Sequence, residues 1–241
     1  MSETTAISWA DSTFNPWVGC TKISAACDNC YAESWAKRSG HSELWDGDRR
    51  RTKTWGGPVK WNREAGLWGK RKRVFCASLA DVFDNQVPTE WRSALWALIS
   101  DCTNLDWLLL TKRPQNIAKM LPPAWPWPHV WLGTTVEAPE EYRRIRFLRA
   151  IPARVRFLSM EPLLAACDDI PLDGISWVIT GGESGPHHRF TDPAWIRSIR
   201  DQCQRNGVAF HHKQWSGLHP KANGCELDGR EWKEFPRMLA A

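Results

Sequence analysis

Six short runs rich in β-branched and aromatic residues punctuate the chain. They are VFCASL from Val74, WLLLTK from Trp107, HVWLGTTVE from His129, VRFLSMEPL from Val155, ISWVITGGE from Ile175 and VAFHHKQW from Val208. Most are nearly continuous apolar stretches rather than alternating ones, the pattern of strands covered on both faces. Their starts lie roughly 20 to 33 residues apart, room for one strand and one crossover each. Helical spacing fills the gaps. Trp91, Leu95, Leu98 and Cys102 form one stripe, with Thr89 opening its first turn, and Glu140 to Ala150 form a second, shorter helix closed by Pro152. Thr191 as cap, Pro193 just inside, and the stripe Trp195, Ile196, Ile199 and Cys203 predict a third helix, which Gly207 ends. The stretch LPPAWPWPH, residues 121–129, cannot continue a helix and reads as a rigid connection.

A further strand, ending near Trp17 to Gly19, brings the expected number to seven. Seven or eight parallel strands in 241 residues favour an α/β fold, a compact or incomplete (β/α) barrel, as one domain over residues 1–241. An open doubly wound sheet is the alternative, because strand order is not readable from the pattern. Neither GxGxxG after a strand nor GxxxxGK[ST] occurs, so the two common nucleotide fingerprints are absent.

Composition narrows the setting. An apolar share of 42% with 24% charged residues suits a globular protein. No apolar run approaches membrane-spanning length, and the N-terminus lacks a basic region followed by an apolar stretch, so the expected location is cytoplasmic. The net charge of +5 is uneven: residues 36–73 hold 12 Lys or Arg and 4 Asp or Glu, leaving the rest negative. That segment also carries Trp45, Trp55, Trp61 and Trp68 among glycines. It reads either as a nucleic-acid or nucleotide-binding insertion, basic groups meeting phosphate and indoles stacking bases, or as a solvated loop pinned by its Trp side chains.

The sharpest chemical signal is GCTKISAACDNCYAE, in which Cys20, Cys27 and Cys30 follow a C-x6-C-x2-C spacing. Thiolates are soft ligands, and a CxxC pair brings two sulfurs toward one centre. Three clustered cysteines suit a [4Fe–4S] cluster with one open iron; zinc with a distant fourth ligand and structural or redox thiols are the alternatives. Of the scattered cysteines, Cys102 and Cys203 fall at apolar helical phases and read as small buried hydrophobes. The predicted strand ends carry Ser78 and Asp81, then Thr111, Lys112 and Arg113, then Thr134, Thr135 and Glu137. Ser159 and Glu161 follow, then Gly181, Gly182, Glu183 and Ser184, and last Lys213, Gln214 and Trp215. Such groups would ring the mouth of a barrel, where ligand contacts concentrate. Lys112, Glu161 and Lys213 are the catalytic candidates, and Ser78, Thr134, Gly181, Gly182 and Glu183 the cofactor-contacting ones. Of the His187–His188 and His211–His212 pairs, the second sits on a strand, whose alternating faces discourage joint service on one metal.

The phrases FNPWVGCTKISAACDNCYAE, LLLTKRP, VWLGTTVE, RFLSMEPLL, WVITGGESG and HHKQW resemble, in that order, a phage-associated and bacterial three-cysteine-motif family. That family in turn resembles divergent radical-SAM proteins. The resemblance implies a (β/α) barrel, a [4Fe–4S] cluster on Cys20, Cys27 and Cys30, S-adenosylmethionine as cofactor, and an electron donor as partner. It departs from the wider class in the six-residue first gap and in Tyr31 following Cys30 rather than an aromatic preceding it. The function expected is reductive cleavage of S-adenosylmethionine acting on a nucleotide or nucleic acid. A non-enzymatic nucleic-acid-binding protein with a structural metal, and a metal-dependent nuclease or other hydrolase using Asp81, Glu161 and Glu183, are the competing functions.

Overall fold

The computed structural model describes residues 3–45 and 47–237; Asp46, inside the basic segment, lies outside them. The strands are β1 (Ser12–Phe14), β2 (Trp17–Val18), β3 (Arg50–Arg51), β4 (Lys72–Cys76), β5 (Leu105–Thr111), β6 (Val130–Thr135), β7 (Val155–Met160), β8 (Trp177–Thr180), β9 (Ala209–His212), β10 (Glu226–Leu227) and β11 (Arg230–Glu231). The α-helices are α1 (Tyr31–Arg38), α2 (Gly56–Trp68), α3 (Thr89–Asp101), α4 (Ile117–Met120), α5 (Arg143–Arg149) and α6 (Pro193–Arg205).

Seven strands form one sheet in the order β1-β4-β5-β6-β7-β8-β9, and every neighbouring pair is parallel. The order never reverses, so there is no topological switch point and the doubly wound alternative is excluded. The two edge strands do not pair with each other. The sheet is nevertheless curled. Phe75 on β4 and Trp177 on β8 are four strand spacings apart, about 19 Å if flat. Yet the Trp9 ring lies 4.6 Å from Phe75 and 6.4 Å from Trp177, centroid to centroid. The architecture is an α/β incomplete barrel whose concave side is filled by the N-terminal segment.

Both faces of the sheet are covered, which explains the unbroken apolar runs. Phe75, Leu108, Trp131, Phe157, Trp177 and Ile179 pack with Trp9 on the concave side. The alternate positions, among them Val74, Trp107, Leu109, Leu132, Leu158 and Val178, join the larger core with Leu95 and Ile99 of α3 and Ile196 and Ile199 of α6. Gly133 is required on β6: an added Cβ would meet the Phe157 ring at 2.3 Å.

Three expectations are corrected. The first sheet strand is Ser12–Phe14, not a strand ending at Trp17 to Gly19; Trp17–Val18 instead pairs antiparallel with Arg50–Arg51. The cap of α6 is Asp192, whose carboxylate accepts from the Ala194 amide at 2.8 Å, while Thr191 Oγ1 donates to the Leu163 carbonyl. The basic segment is not a plain solvated loop either, since it contains the end of α1, strand β3 and the whole of α2, part of the crossover between β1 and β4. Trp61 is 1% exposed and Trp45 8%, so these indoles are core. Trp68, at 76%, faces solvent. Cys102 and Cys203 are buried, as their helical phase predicts.

Candidate functional site

A cavity of about 440 Å³ opens at the C-terminal ends of the parallel strands. Its inner wall is apolar, with Ile7, Trp9, Phe75 and Leu110; its rim is polar, with Ser78, Lys112, Thr135, Ser159, Glu161 and Lys213. The loop after β2 brings Cys20, Cys27 and Cys30 to the same cavity, and all three are free of disulfides and partly exposed.

Two clamps hold that loop. The first is on Cys20. Arg113 Nη1 lies 3.6 Å from Cys20 Sγ and 3.1 Å from Asp81 Oδ2, while Nη2 donates to the Thr21 carbonyl at 2.8 Å. Asp81 also accepts from Thr111 Oγ1 at 2.8 Å. Desolvation works against the Arg113 charge, but Asp81, Cys20 and Asp84 outweigh it and raise its pKa. Burial, with Asp81 adding to it, pushes the Cys20 thiol up to about 11 against the pull of Arg113. Behind this, buried Arg49 bonds Asp84 Oδ2 at 2.6 Å and Thr21 Oγ1 at 2.7 Å through one nitrogen.

The second clamp is on the CxxC half. Asn29 Nδ2 donates to Glu183 Oε2 at 3.0 Å and to the His187 carbonyl at 2.8 Å. Arg189 bonds both Glu183 oxygens, at 2.6 and 2.9 Å, and reaches the Ala25 carbonyl at 3.0 Å. Burial raises the Glu183 pKa, but Arg189 and Asn29 outweigh it and hold the carboxyl below the ordinary range. A third tie, Lys22 Nζ to Glu33 Oε2 at 2.8 Å, closes the loop on α1.

The sequence candidates distribute as follows. Ser78, Lys112, Glu161 and Lys213 line the cavity. Lys213 Nζ and Glu161 Oε2 stand 2.6 Å apart, whereas Lys112 has no ion pair among the described residues. Thr134 faces the helix layer, on the phase of Val130 and Leu132, and its hydroxyl donates to the Thr111 carbonyl at 2.9 Å; Thr135, one residue on, takes the cavity. Gly181 and Gly182 are outside the lining. They serve close packing: an added Cβ would meet Glu161 Cγ at 2.9 Å from Gly181 and the Ser216 backbone N at 2.2 Å from Gly182. Glu183 acts through Asn29 and Arg189. His211 and His212 are buried, and desolvation pushes their pKa values down to about 3 and about 4. Asn29, Arg189 and Trp9 escaped the sequence reading, which placed Thr135 at a strand end but took Thr134 as the cofactor contact. Strand alternation pointed to Thr135; nothing local pointed to Asn29 or Arg189.

Among the described residues, no three His, Cys, Asp or Glu side chains converge as ligands of a single ion. A single zinc and a cluster core alike need their thiolates drawn together around one centre, and neither arrangement is preformed among the described residues. Asp81, Glu161 and Glu183 form no metal-ligand group among the described residues, and each is paired with its own cation. The donor set fits an iron–sulfur cluster by chemistry, offering three soft thiols in one cavity and a guanidinium beside Cys20 to offset thiolate charge. No helix among the described residues is long and apolar enough to cross a membrane.

Fold and site together define an α/β incomplete-barrel protein with a thiol-lined cavity at its strand ends. The chain belongs to the family described as "Protein of unknown function (DUF5131)", whose model matches residues 4–236. No curated protein matches the sequence. Among solved structures, it is similar to a spore photoproduct lyase variant with bound AdoMet and dinucleoside spore photoproduct, at 12% identity and a TM-score of 0.49 over 81% of this chain and 62% of that one. A spore photoproduct lyase complexed with the dinucleoside spore photoproduct gives 11% identity and a TM-score of 0.44 over 78% and 59%. The chain thus spans less than two thirds of either lyase structure.

Proposed function

We propose that the cavity is the active site of a radical-SAM-like iron–sulfur enzyme of the three-cysteine-motif kind, with Cys20, Cys27 and Cys30 holding a [4Fe–4S] cluster. The observation that carries this reading is the delivery of three thiols from one doubly clamped loop into a cavity at parallel-strand ends. Held by Cys20, Cys27 and Cys30, such a cluster would supply, once reduced by an external low-potential donor, the one electron needed for reductive cleavage of S-adenosylmethionine. The protein's part is positioning and exclusion of water. Arg113 and the Glu183–Arg189–Asn29 clamp fix the two halves of the cysteine loop. Lys112, a rim cation with no ion pair among the described residues, grips a carboxylate or phosphate. Glu161 and Lys213 hold a proton between them, and Ser78 contacts the cofactor directly. Thr134, Gly181 and Gly182 support this set from behind. The substrate is a nucleotide or nucleic acid.

The test is anaerobic purification with iron and sulfide analysis, followed by incubation with S-adenosylmethionine and dithionite. About four irons per chain are expected, with loss in Cys27→Ser and reductant-dependent formation of 5′-deoxyadenosine. One zinc per chain and no cofactor cleavage would overturn the proposal in favour of a metal-stapled binding module.

A further inference from the structure

The basic segment leaves a specific group of cations in solvent. β3 pairs Arg51 with Trp17 and Arg50 with Val18, so the ribbon carrying Arg50, Arg51 and Lys53 begins two residues from Cys20. The register continues into the site: the Cys20 amide donates to the Leu44 carbonyl at 3.2 Å, and Cys20 bridges Trp45. Arg50 Nη1 reaches the His41 ring at 3.1 Å, while the His41 amide donates to Ala36 at the end of α1. Arg38, in the last turn of α1, therefore belongs to the same patch. Arg38, Arg50, Arg51 and Lys53 are all exposed, and none has a carboxylate partner among the described residues. The Arg51 guanidinium lies 4.5 Å over the Trp55 ring, which holds that side chain extended.

Resting on the proposed active site, we infer that this ribbon seats the sugar–phosphate chain of a single-stranded nucleic acid, one unit of which is presented at the mouth of the cavity. Size comes first. The cavity, at about 440 Å³, is in the range that encloses a single small ligand, so a polymer must lie outside it along the rim. Access comes second. A base reaches an enclosed pocket only once it has left the duplex stack, which favours a single-stranded substrate, and an arginine stacked on an indole adds a sequence-tolerant surface for bases.

The experiment is anisotropy of a labelled single strand of about 20 nucleotides, titrated with the purified full chain across a salt series. The expected result is a logarithmic salt dependence that becomes shallower by about 2 in the Arg50→Ala/Arg51→Ala/Lys53→Ala variant, and by about 0.7 in Lys53→Ala alone. An unchanged slope in both variants, absence of oligonucleotide binding at low salt, or capture of anionic vesicles or acidic peptide in place of the oligonucleotide would each overturn the inference. The same titration on Cys27→Ser, read beside its iron content, separates the two proposals. Oligonucleotide binding kept by wild type that holds no iron leaves the ribbon standing and removes the enzyme.

Discussion

Asn29 Nδ2 lies 3.0 Å from Glu183 Oε2, although 154 residues separate the two in the chain. This bond ties the middle of the CxxC turn to the turn that follows β8. With Arg189 on the other side of the carboxylate, a GGESG element that looks in sequence like a ligand cradle becomes a fastening for the thiol loop. Because Asn29 stands between Cys27 and Cys30, loss of the fastening should free those two sulfurs while Cys20 stays held by Arg113.

Glu183→Gln keeps the shape of the side chain and removes its charge. Charge-assisted hydrogen bonds contribute about 1.5–3 kcal/mol each, and part-exposed Arg189 puts the expected loss at the low end at pH 7. The sign with pH follows from the depressed folded-state pKa. The stabilisation is fully present above the unfolded carboxyl value of about 4.3 and disappears as pH falls through the folded one. Urea unfolding at pH 7 should separate wild type from variant, and the gap should shrink toward pH 3. A gap that persists undiminished at low pH would show that the carboxylate charge is not its source.

Arg113 is expected to be the most sensitive single position of the Cys20 clamp. Its guanidinium contacts Cys20, Asp81 and Thr21 at once, and both partners of the Arg113–Asp81 pair are buried. Arg113→Ala leaves the Asp81 carboxylate buried without its cation, a loss of about 3–5 kcal/mol. Arg113→Lys keeps the charge but not the fork, so it should recover only part of that stability. Chemical denaturation of the two variants checks the order; equal stability of Arg113→Ala and wild type would refute the clamp.

The strands were legible because most are buried on both faces and so stand out as apolar runs from Val74 onward. Ser12–Phe14 was not, since three residues before Asn15 and Pro16 carry no periodicity, and its place in the sheet is set by pairing with Val74 to Cys76. Helix α2 hid behind Gly56, Gly57 and Pro58 and the high charge that follows, although Trp61 and Ala65, one turn apart, form its buried stripe. In the site, the three cysteines and the strand-end polar groups could be read from local order. Which member of Thr134–Thr135 meets the cavity depended on strand phase. The partners of Glu183 depended on contacts across the whole barrel, which no local pattern encodes.

Gly181 and Gly182 should respond differently to the same substitution. A Cβ at Gly182 would strike the Ser216 backbone N at 2.2 Å, and backbone there is held by the Gly182 amide's own bond to the Gln214 carbonyl at 2.8 Å. A Cβ at Gly181 would press on the Glu161 side chain at 2.9 Å, which can swing at the expense of its Lys213 partner. Overpacking costs about 1–3 kcal/mol, so Gly182→Ala should lose the larger amount and Gly181→Ala the smaller. Thermal denaturation ranks them, and the reverse order would contradict the packing described.

The Trp-rich segment offers a last separation, between core and surface. Trp61 is 1% exposed on α2 and packs in the larger core, with the Lys72 ammonium 5.5 Å from its ring centre. Trp68, seven residues further along the same helix, is 76% exposed. Removing a buried indole costs about 3–5 kcal/mol, whereas surface changes stay within about 0.5 kcal/mol. Trp61→Ala should therefore shift the urea midpoint strongly and Trp68→Ala hardly at all. The contrast bears on function because charge and aromatics in this segment belong to different layers. If Trp61→Ala left stability intact, the segment would be a detachable insertion after all, and oligonucleotide binding would have to be sought on its indoles rather than on the arginine ribbon beside Cys20.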